Sequence, residues 1–260
     1  MMFRFTSYVC GFGRTFATIG SFLAGVQLAG PSLGAALPEK ASVAEQTTHR
    51  VVQFVAPDTV NVRRVLPEPP AAGSLADQAD LETVLRIQVT RTQSDVELAE
   101  RVASTDLGVI WPGYSNEAFP KTAQLLSDVF SDLGLVLGEA KGLHQRPRPP
   151  KAHASVKPCI VVPGSFSYPS GHSTVGFVLA GLFSAIVPEK REELMERAHR
   201  FAWARIVGGV HYPSDVVGGR LLADAFLAQL LKNPDFLAQI PAARKELTVA
   251  PTPVGPLLPR

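Results

Sequence analysis

A chain of 260 residues that is 46% hydrophobic and 18% charged has the composition of a folded globular protein, not of a disordered tail, a collagen or a coiled coil. Its 25 basic and 23 acidic residues give a formal charge of +2, which argues against a surface that wraps nucleic acid. Two cysteines, Cys10 and Cys159, are too few for a multi-disulfide scaffold or a four-cysteine zinc site.

Residues 1–36 have the layout of a secretory signal peptide. They contain no acidic residue, carry Arg4 and Arg14, and run through an apolar stretch of small residues at 15–28. We expect cleavage after this segment, or as late as Ala44. A membrane anchor that stays attached is the alternative, although the apolar stretch is short for a membrane span.

The rest of the chain divides into a leader, a domain and a tail. Residues 37–73 contain five prolines and little periodicity, which predicts an extended leader across the surface. Residues 74–250 carry helical patterns with no competing strand pattern, so we predict one all-α domain there. Residues 251–260 are rich in proline and predict a flexible tail.

The helices of this domain are predicted from their start and stop signals. Ser94 and Glu97 have the spacing of a capping box that divides the helical stretch 75–103 into two helices. A long helix begins at Pro120 and ends near Gln145, because the residue before Pro147 disfavours helix. A loop at 147–169 and helices at 170–187, 189–207, 214–232 and 234–247 follow.

The helix predicted at 170–187 contains no charged residue, so its length alone would permit a transmembrane span. Its neighbours are amphipathic, with charged faces. A buried helix at the centre of the domain is therefore the better interpretation.

A stretch without acidic residues gives the first indication of function. Residues 140–188 contain none, but they hold five basic residues: Lys141, Arg146, Arg148, Lys151 and Lys157. Lys141 falls in the last turn of the long helix and Arg148 just beyond it, so both could converge on one small anion. A solvated basic loop is the alternative.

Two further segments could complete such an anion site. The backbone N–H groups of Ser170, Gly171 and His172 lie at a predicted helix start, where they could cradle phosphate oxygens, although a histidine there is often structural. Asp215 could accept a hydrogen bond from Nδ1 of His211 and leave the other ring nitrogen free as a nucleophile, or it could simply stabilise a helix start. The remaining histidines are predicted to be surface or loop residues: His49, His144, His153 and His199.

The order and spacing of these residues resemble a known three-part signature. Lys141 is followed after six residues by Arg148-Pro149, and nineteen residues later comes Pro169-Ser170-Gly171-His172. Arg205 is followed after five residues by His211 and after three more by Asp215. This pattern resembles that of the phosphatidic acid phosphatase type 2 (PAP2) and vanadium haloperoxidase superfamily. The secreted helical context is similar to the bacterial class A non-specific acid phosphatases.

The resemblance implies a fold and a mechanism. The fold would be a helical bundle of the PAP2/haloperoxidase type, and the enzyme would hydrolyse phosphate monoesters without a metal or other cofactor. His211 would attack phosphorus to form a phosphohistidine, Asp215 would orient it, and His172 would protonate the leaving alcohol. The phosphoryl oxygens would be bound by Lys141, Arg148, Ser170, Gly171 and Arg205. With the predicted signal peptide, the resemblance also implies a periplasmic homo-oligomer that binds no nucleic acid and does not stay inserted in the membrane.

One position departs from the family pattern. Ala204 stands where the family usually has serine, so one hydrogen bond at the edge of the site is missing. Because a single hydrogen bond contributes about 1 kcal/mol, we expect an altered rate or affinity and not a loss of activity. A haloperoxidase-like enzyme, a lipid phosphate phosphatase and a non-catalytic phosphate-binding protein are the alternatives to an acid phosphatase.

Overall fold

The computed structural model describes residues 52–249. The predicted signal peptide, the first part of the leader and the Pro-rich tail lie outside the described residues. The boundaries predicted for these segments therefore stay predictions.

The described part of the chain forms α-helices, short 3₁₀ turns and loops, and it contains no strand. The α-helices are α1 (Val62–Val65), α2 (Leu75–Thr90), α3 (Gln93–Ala103), α4 (Pro120–His144), α5 (Pro149–Ala152), α6 (Gly171–Ile186), α7 (Arg191–Val207), α8 (Pro213–Leu230) and α9 (Pro234–Val249). Short 3₁₀ turns lie at Pro57–Thr59, Leu107–Val109 and Pro188–Lys190. The predicted all-α class is confirmed.

Helix α6 is the centre of the domain. It packs against α7 and α8 along its length and also contacts α9. Leu179, Phe183 and Ile186 are among its fully buried side chains. A helix without charged residues is stable only when other elements cover every face, and this explains its central place. Within residues 52–249, no helix combines the length and the hydropathy that crossing a membrane requires.

The ends of α4 agree with the sequence signals, whereas the capping box of α3 uses other residues than predicted. Helix α4 begins at Pro120, and Gln145 follows its last residue in the left-handed conformation, with φ of 46°. The break between α2 and α3 is also where it was predicted, but the capping box consists of Thr92 and Asp95, not of Ser94 and Glu97. Both pairs have the required spacing of three, so the pattern alone could not select between them.

The leader differs from its prediction. Its described part does not cross the surface as an extended chain, because Val55, Val60, Val62 and Leu66 are buried in the main core. A buried carboxylate, that of Asp132 in α4, holds the first described residues in place. Asp132 accepts hydrogen bonds from the backbone N–H groups of residues 53, 54 and 55 at 3.0, 2.7 and 2.9 Å. The apolar residues between the prolines were the signal for this packing.

Asp132→Ala should detach this segment from α4. An unsatisfied buried polar group costs about 1–3 kcal/mol, so we expect the free energy of unfolding to fall by at least about 2 kcal/mol in urea titrations. The matched control is Asp128→Ala, one turn earlier on α4, where the carboxylate bonds only the exposed side chain of Gln124 at 2.9 Å. Similar losses in the two variants would contradict the anchoring role of Asp132.

Candidate active site

The three sequence motifs meet at one pocket of about 270 Å³. Its walls come from the end of α4, the loop before α6, the first turns of α6 and the connection from α7 to α8. The lining residues are Thr105, Leu137, Lys141, Arg148, Pro163, Ser165, Gly171, His172, Val175 and His211. Five of the eight site residues predicted from sequence line this pocket, and the other three, Ser170, Arg205 and Asp215, are buried next to lining residues.

His211 and Asp215 form a buried pair. Nδ1 of His211 lies 3.2 Å from Oδ2 of Asp215, and neither side chain is more than 1% exposed. The same Oδ2 accepts the backbone N–H of Tyr212 at 2.8 Å, at the start of α8. One carboxylate therefore contacts both the start of the helix and the histidine ring, so its geometry is compatible with both interpretations that the sequence left open for Asp215.

The other ring nitrogen of His211 faces a cation. Arg148 donates a hydrogen bond from Nη1 to Nε2 of His211 at 2.8 Å and another to the Val210 carbonyl at 3.0 Å. Since Nε2 accepts, the ring is the neutral tautomer with its proton on Nδ1, toward Asp215. Burial lowers the pKa of His211 to about 3, although Asp215 acts in the opposite direction. The ring thus stays neutral in mildly acidic solution.

Three cations at the pocket have no acidic partner among residues 52–249: Lys141, Arg148 and Arg205. Lys141 donates from Nζ to the carbonyls of Phe166 and Pro169 at 2.9 and 2.8 Å. Burial lowers its pKa to about 8 and those of the two arginines to about 10.

Of these three cations, Arg205 is the most deeply buried. Its side chain is 1% exposed, and its Nε and Nη1 have no hydrogen-bond partner within the described part of the chain. A buried charge that lacks both an ion pair and hydrogen bonds is strongly unfavourable. The arrangement is therefore that of a site made for an anion, and phosphate oxygens match guanidinium donors well.

The start of α6 supplies fewer backbone donors than the sequence suggested. The N–H of Ser170 donates to the Asp215 carbonyl at 2.9 Å, so the expectation that it is free for an anion is wrong. The Ser170 side chain caps α6 by accepting from the N–H of Ser173 at 3.3 Å. Gly171 and His172 follow as the first two helical residues, whose N–H groups have no acceptor within the helix.

His172 lies in the wall of the pocket. Its Nε2 is buried and has no hydrogen-bond partner among residues 52–249, and the ring also has a hydrogen bond with the backbone of Ala103. Burial, together with the positive charge of Arg205, lowers the pKa of His172 to about 4. A bound anion would reverse this repulsion and favour the protonated ring.

Two glycines on α8 bring the motifs together. A Cβ atom at Gly218 would lie 2.6 Å from the ring of Tyr168, and one at Gly219 would lie 2.6 Å from the Ser170 carbonyl oxygen. Any larger residue would push α8 away from the start of α6. The close approach of these helices depends on the glycine pair.

Not all of the five basic residues in the acid-free stretch face the anion site. Lys151 and Lys157 are exposed and donate to loop carbonyls. Arg146 points away from the pocket, toward three carboxylates. Of these five residues, Lys141 and Arg148 line the pocket.

Sequence reasoning also missed Ser167, which contacts Asp215, and misplaced His144. Ser167 donates from Oγ to Oδ2 of Asp215, and only its position just before the second motif could have indicated it. His144 was predicted to be a surface or loop residue, but its side chain is 4% exposed and packs edge-on against Tyr168. Among the described residues, no group of three or more His, Cys, Asp or Glu side chains could hold a metal ion.

The chain is similar to several known proteins. The family model of the PAP2 superfamily matches residues 123–235. A non-specific acid phosphatase of Providencia stuartii is 30% identical over 196 residues, which cover 70% of this chain and 79% of the relative. A solved PAP2-type phosphatidylglycerolphosphate phosphatase from Bacillus subtilis, described as transmembrane, is 22% identical with a TM-score of 0.46, covering 62% of this chain and 87% of that one.

The chain belongs to the PAP2 superfamily. Within that superfamily its similarity is to bacterial non-specific acid phosphatases, and it extends well beyond the three motifs. The corresponding protein of Salmonella typhimurium is 29% identical over 221 residues, covering 79% of this chain and 88% of the relative.

Arg205→Met should have opposite effects on stability and on anion binding. Removing an unpaired buried charge should raise the melting temperature of the phosphate-free protein, while the stabilisation by millimolar phosphate should disappear. Arg197→Met is the matched control, because Arg197 is equally buried on α7 but is paired with Glu193 at 3.0 Å. That variant should lose stability and keep its response to phosphate. A phosphate response that survives in Arg205→Met would contradict the anion site.

Proposed function

We propose that this protein is a metal-independent acid phosphatase that hydrolyses phosphate monoesters through a phosphohistidine on His211. The observation that carries the proposal is a group of three cations at the pocket that have no acidic ion-pair partner among residues 52–249, beside a neutral histidine whose Nε2 accepts a hydrogen bond from one of them, Arg148. Phosphoryl transfer is achieved mainly by positioning and by neutralising charge on the phosphoryl oxygens, which such a group can supply. The names of the relatives support the same activity.

Substrate binding would satisfy the donors that the free site leaves without an acceptor. Arg205, Lys141 and the N–H groups at the start of α6 would bind the phosphoryl oxygens. Arg148 would transfer its hydrogen bond from Nε2 of His211 to a phosphoryl oxygen. That transfer frees the lone pair of Nε2 at the moment when phosphorus comes within reach.

The first chemical step would form a P–N bond and break the ester P–O bond. Nε2 of His211 attacks phosphorus, and His172 gives its proton to the departing ester oxygen. The phosphorylated imidazole is positively charged, and the ionised Asp215 at Nδ1 stabilises this charge. The pKa of Asp215 is kept low against its burial by His211, Arg146 and Ser167.

The second step would release inorganic phosphate. The now neutral His172 takes a proton from water, the oxygen of that water attacks phosphorus, and the P–N bond breaks. Mildly acidic solution favours the cycle for two reasons. His211 stays neutral, and the substrate monoanion, whose second pKa is about 6, can bring the proton that His172 needs.

Export to the periplasm belongs to the same proposal and rests on residues 1–36. Cys159 is a free cysteine and is half-buried, with Sγ 3.6 Å from the Val207 carbonyl. With a cleaved signal peptide, Cys10 would be lost and the mature chain would have no internal disulfide to form in an oxidising compartment.

His211→Ala should abolish turnover, whereas His172→Ala should depend on the leaving group. Because general-acid help is worth about 10²–10⁴-fold, we expect that loss on alkyl phosphates and a much smaller loss on p-nitrophenyl phosphate, whose leaving group needs no proton. Steady-state kcat on both substrates, with and without a chelator, measures this. The control is His153→Ala, outside the pocket. Equal losses of the His172 variant on both substrates would contradict its role, and inactivation by the chelator would contradict metal independence.

A further inference from the structure

Arg146 is a buried arginine that contacts Asp215 without lining the phosphate pocket. Its side chain is 7% exposed, and its guanidinium stacks 3.9 Å from the centre of the Tyr212 ring. Nη1 donates to Oδ1 of Asp215 at 2.8 Å and to Oγ of Ser214 at 2.7 Å. Arg146 does not line the phosphate pocket. It lines a separate cavity of about 460 Å³, which Tyr212 also lines, so it is not a fourth phosphate ligand in the phosphate pocket.

Two carboxylates of α2 hold this arginine. Nη2 donates to Oδ1 of Asp77 and to Oδ2 of Asp80, both at 3.0 Å. Asp80 also accepts the backbone N–H of Ser214 at 3.1 Å and a hydrogen bond from the Ser214 hydroxyl. Asp77 in turn accepts the N–H of Gly73 at 3.0 Å. Helix α2 lies outside the residues that match the family model, so this contact joins a separate part of the chain to the catalytic histidine.

We infer that Arg146, held by Asp77 and Asp80, is a positioning residue that fixes the carboxylate of Asp215 and, through it, the ring of His211.

The hydrogen bonds of Asp215 support a positioning role. Its Oδ2 accepts from His211, Ser167 and the N–H of Tyr212, whereas Oδ1 has Arg146 as its side-chain donor. A carboxylate that is held at one oxygen only can rotate about its Cβ–Cγ bond, and rotation would break its contact with Nδ1 of His211. Holding both oxygens, together with the hydrogen bond that Arg148 donates to Nε2, keeps the histidine proton on Nδ1 and the lone pair on Nε2.

The two α2 carboxylates also set the local charge. Burial lowers the pKa of Arg146, but Asp215 and the hydrogen bonds to Asp80 and Asp77 outweigh burial, so the pKa is raised and the group stays charged. If Arg146 faced Asp215 alone, its charge would cancel that of the carboxylate. Because Asp77 and Asp80 share the arginine, Asp215 retains negative charge for the imidazolium that forms on phosphorylation. The inference therefore rests on the proposed function of His211.

The test separates positioning from phosphate binding. The variants are Asp80→Asn, Arg146→Lys and Arg146→Met, assayed for kcat and KM on p-nitrophenyl phosphate and for inhibition by inorganic phosphate. We expect Arg146→Met to lower kcat by about 100-fold, by analogy with other partners that orient a functional histidine, while the inhibition constant of phosphate changes by less than about threefold. Asp80→Asn should lower kcat by about tenfold. Glu82→Gln, an exposed carboxylate on the same helix, is the control and should behave as wild type.

A second readout does not depend on activity. The ¹⁵N chemical shifts of His211 should show a single Nδ1–H tautomer in the wild type and a mixture of tautomers in Asp80→Asn and in the Arg146 variants. If Arg146→Met does not fold, Arg146→Lys and the nearly isosteric Asp80→Asn still decide the question. A single tautomer with unchanged kcat in these variants would overturn the inference, and so would a loss of phosphate affinity as large as the loss of kcat. Failure of the proposed function would instead leave the wild type without a phosphohistidine, whichever tautomer it shows.

Discussion

The constraint on which the rest of the structure depends is a group of three positive charges, two buried and one half-buried, that have no acidic ion-pair partner among residues 52–249. Lys141, Arg148 and Arg205 come from the end of α4, the turn after it and the end of α7, and each is less basic than usual because burial penalises its charged form. Without a bound anion, these unpaired charges lower the free energy of unfolding. The surrounding fold must therefore offset that cost, and the apolar helix α6, covered by α7 and α8, provides the large core that does so.

Asp215 connects several elements around the pocket. Asp215 starts α8, accepts a hydrogen bond from His211 and is tied to the segment before α6 through Ser167 and through its own carbonyl, which accepts from Ser170. The pocket thus has two charge layers. The first consists of the cations Lys141, Arg148 and Arg205, which can bind a ligand. The second is centred on Arg146, which forms ion pairs with three carboxylates.

Much of this could be predicted from the sequence, because the signals were local. Helix α4 follows from Pro120 and Pro147, and α6 follows from a long run without charge. The motif spacing identified residues that the fold does bring to one pocket. Three-dimensional features were harder to predict. The acid-free stretch holds five basic residues, but its sequence does not show that Arg146 faces Asp215 while Lys141 and Arg148 line the pocket. The partners of Arg146 on α2 are about 70 residues away in sequence and carry no motif.

The most direct test of the account is to trap the covalent intermediate. The enzyme is mixed briefly with ³²P-labelled p-nitrophenyl phosphate, quenched in alkaline denaturant, digested and analysed by mass spectrometry. The account predicts a phosphate that is stable in alkali and labile in acid, on the peptide that contains His211, and its absence in His211→Ala. An active enzyme that gives no phosphopeptide, or one that carries the phosphate on a different residue, would contradict the central claim.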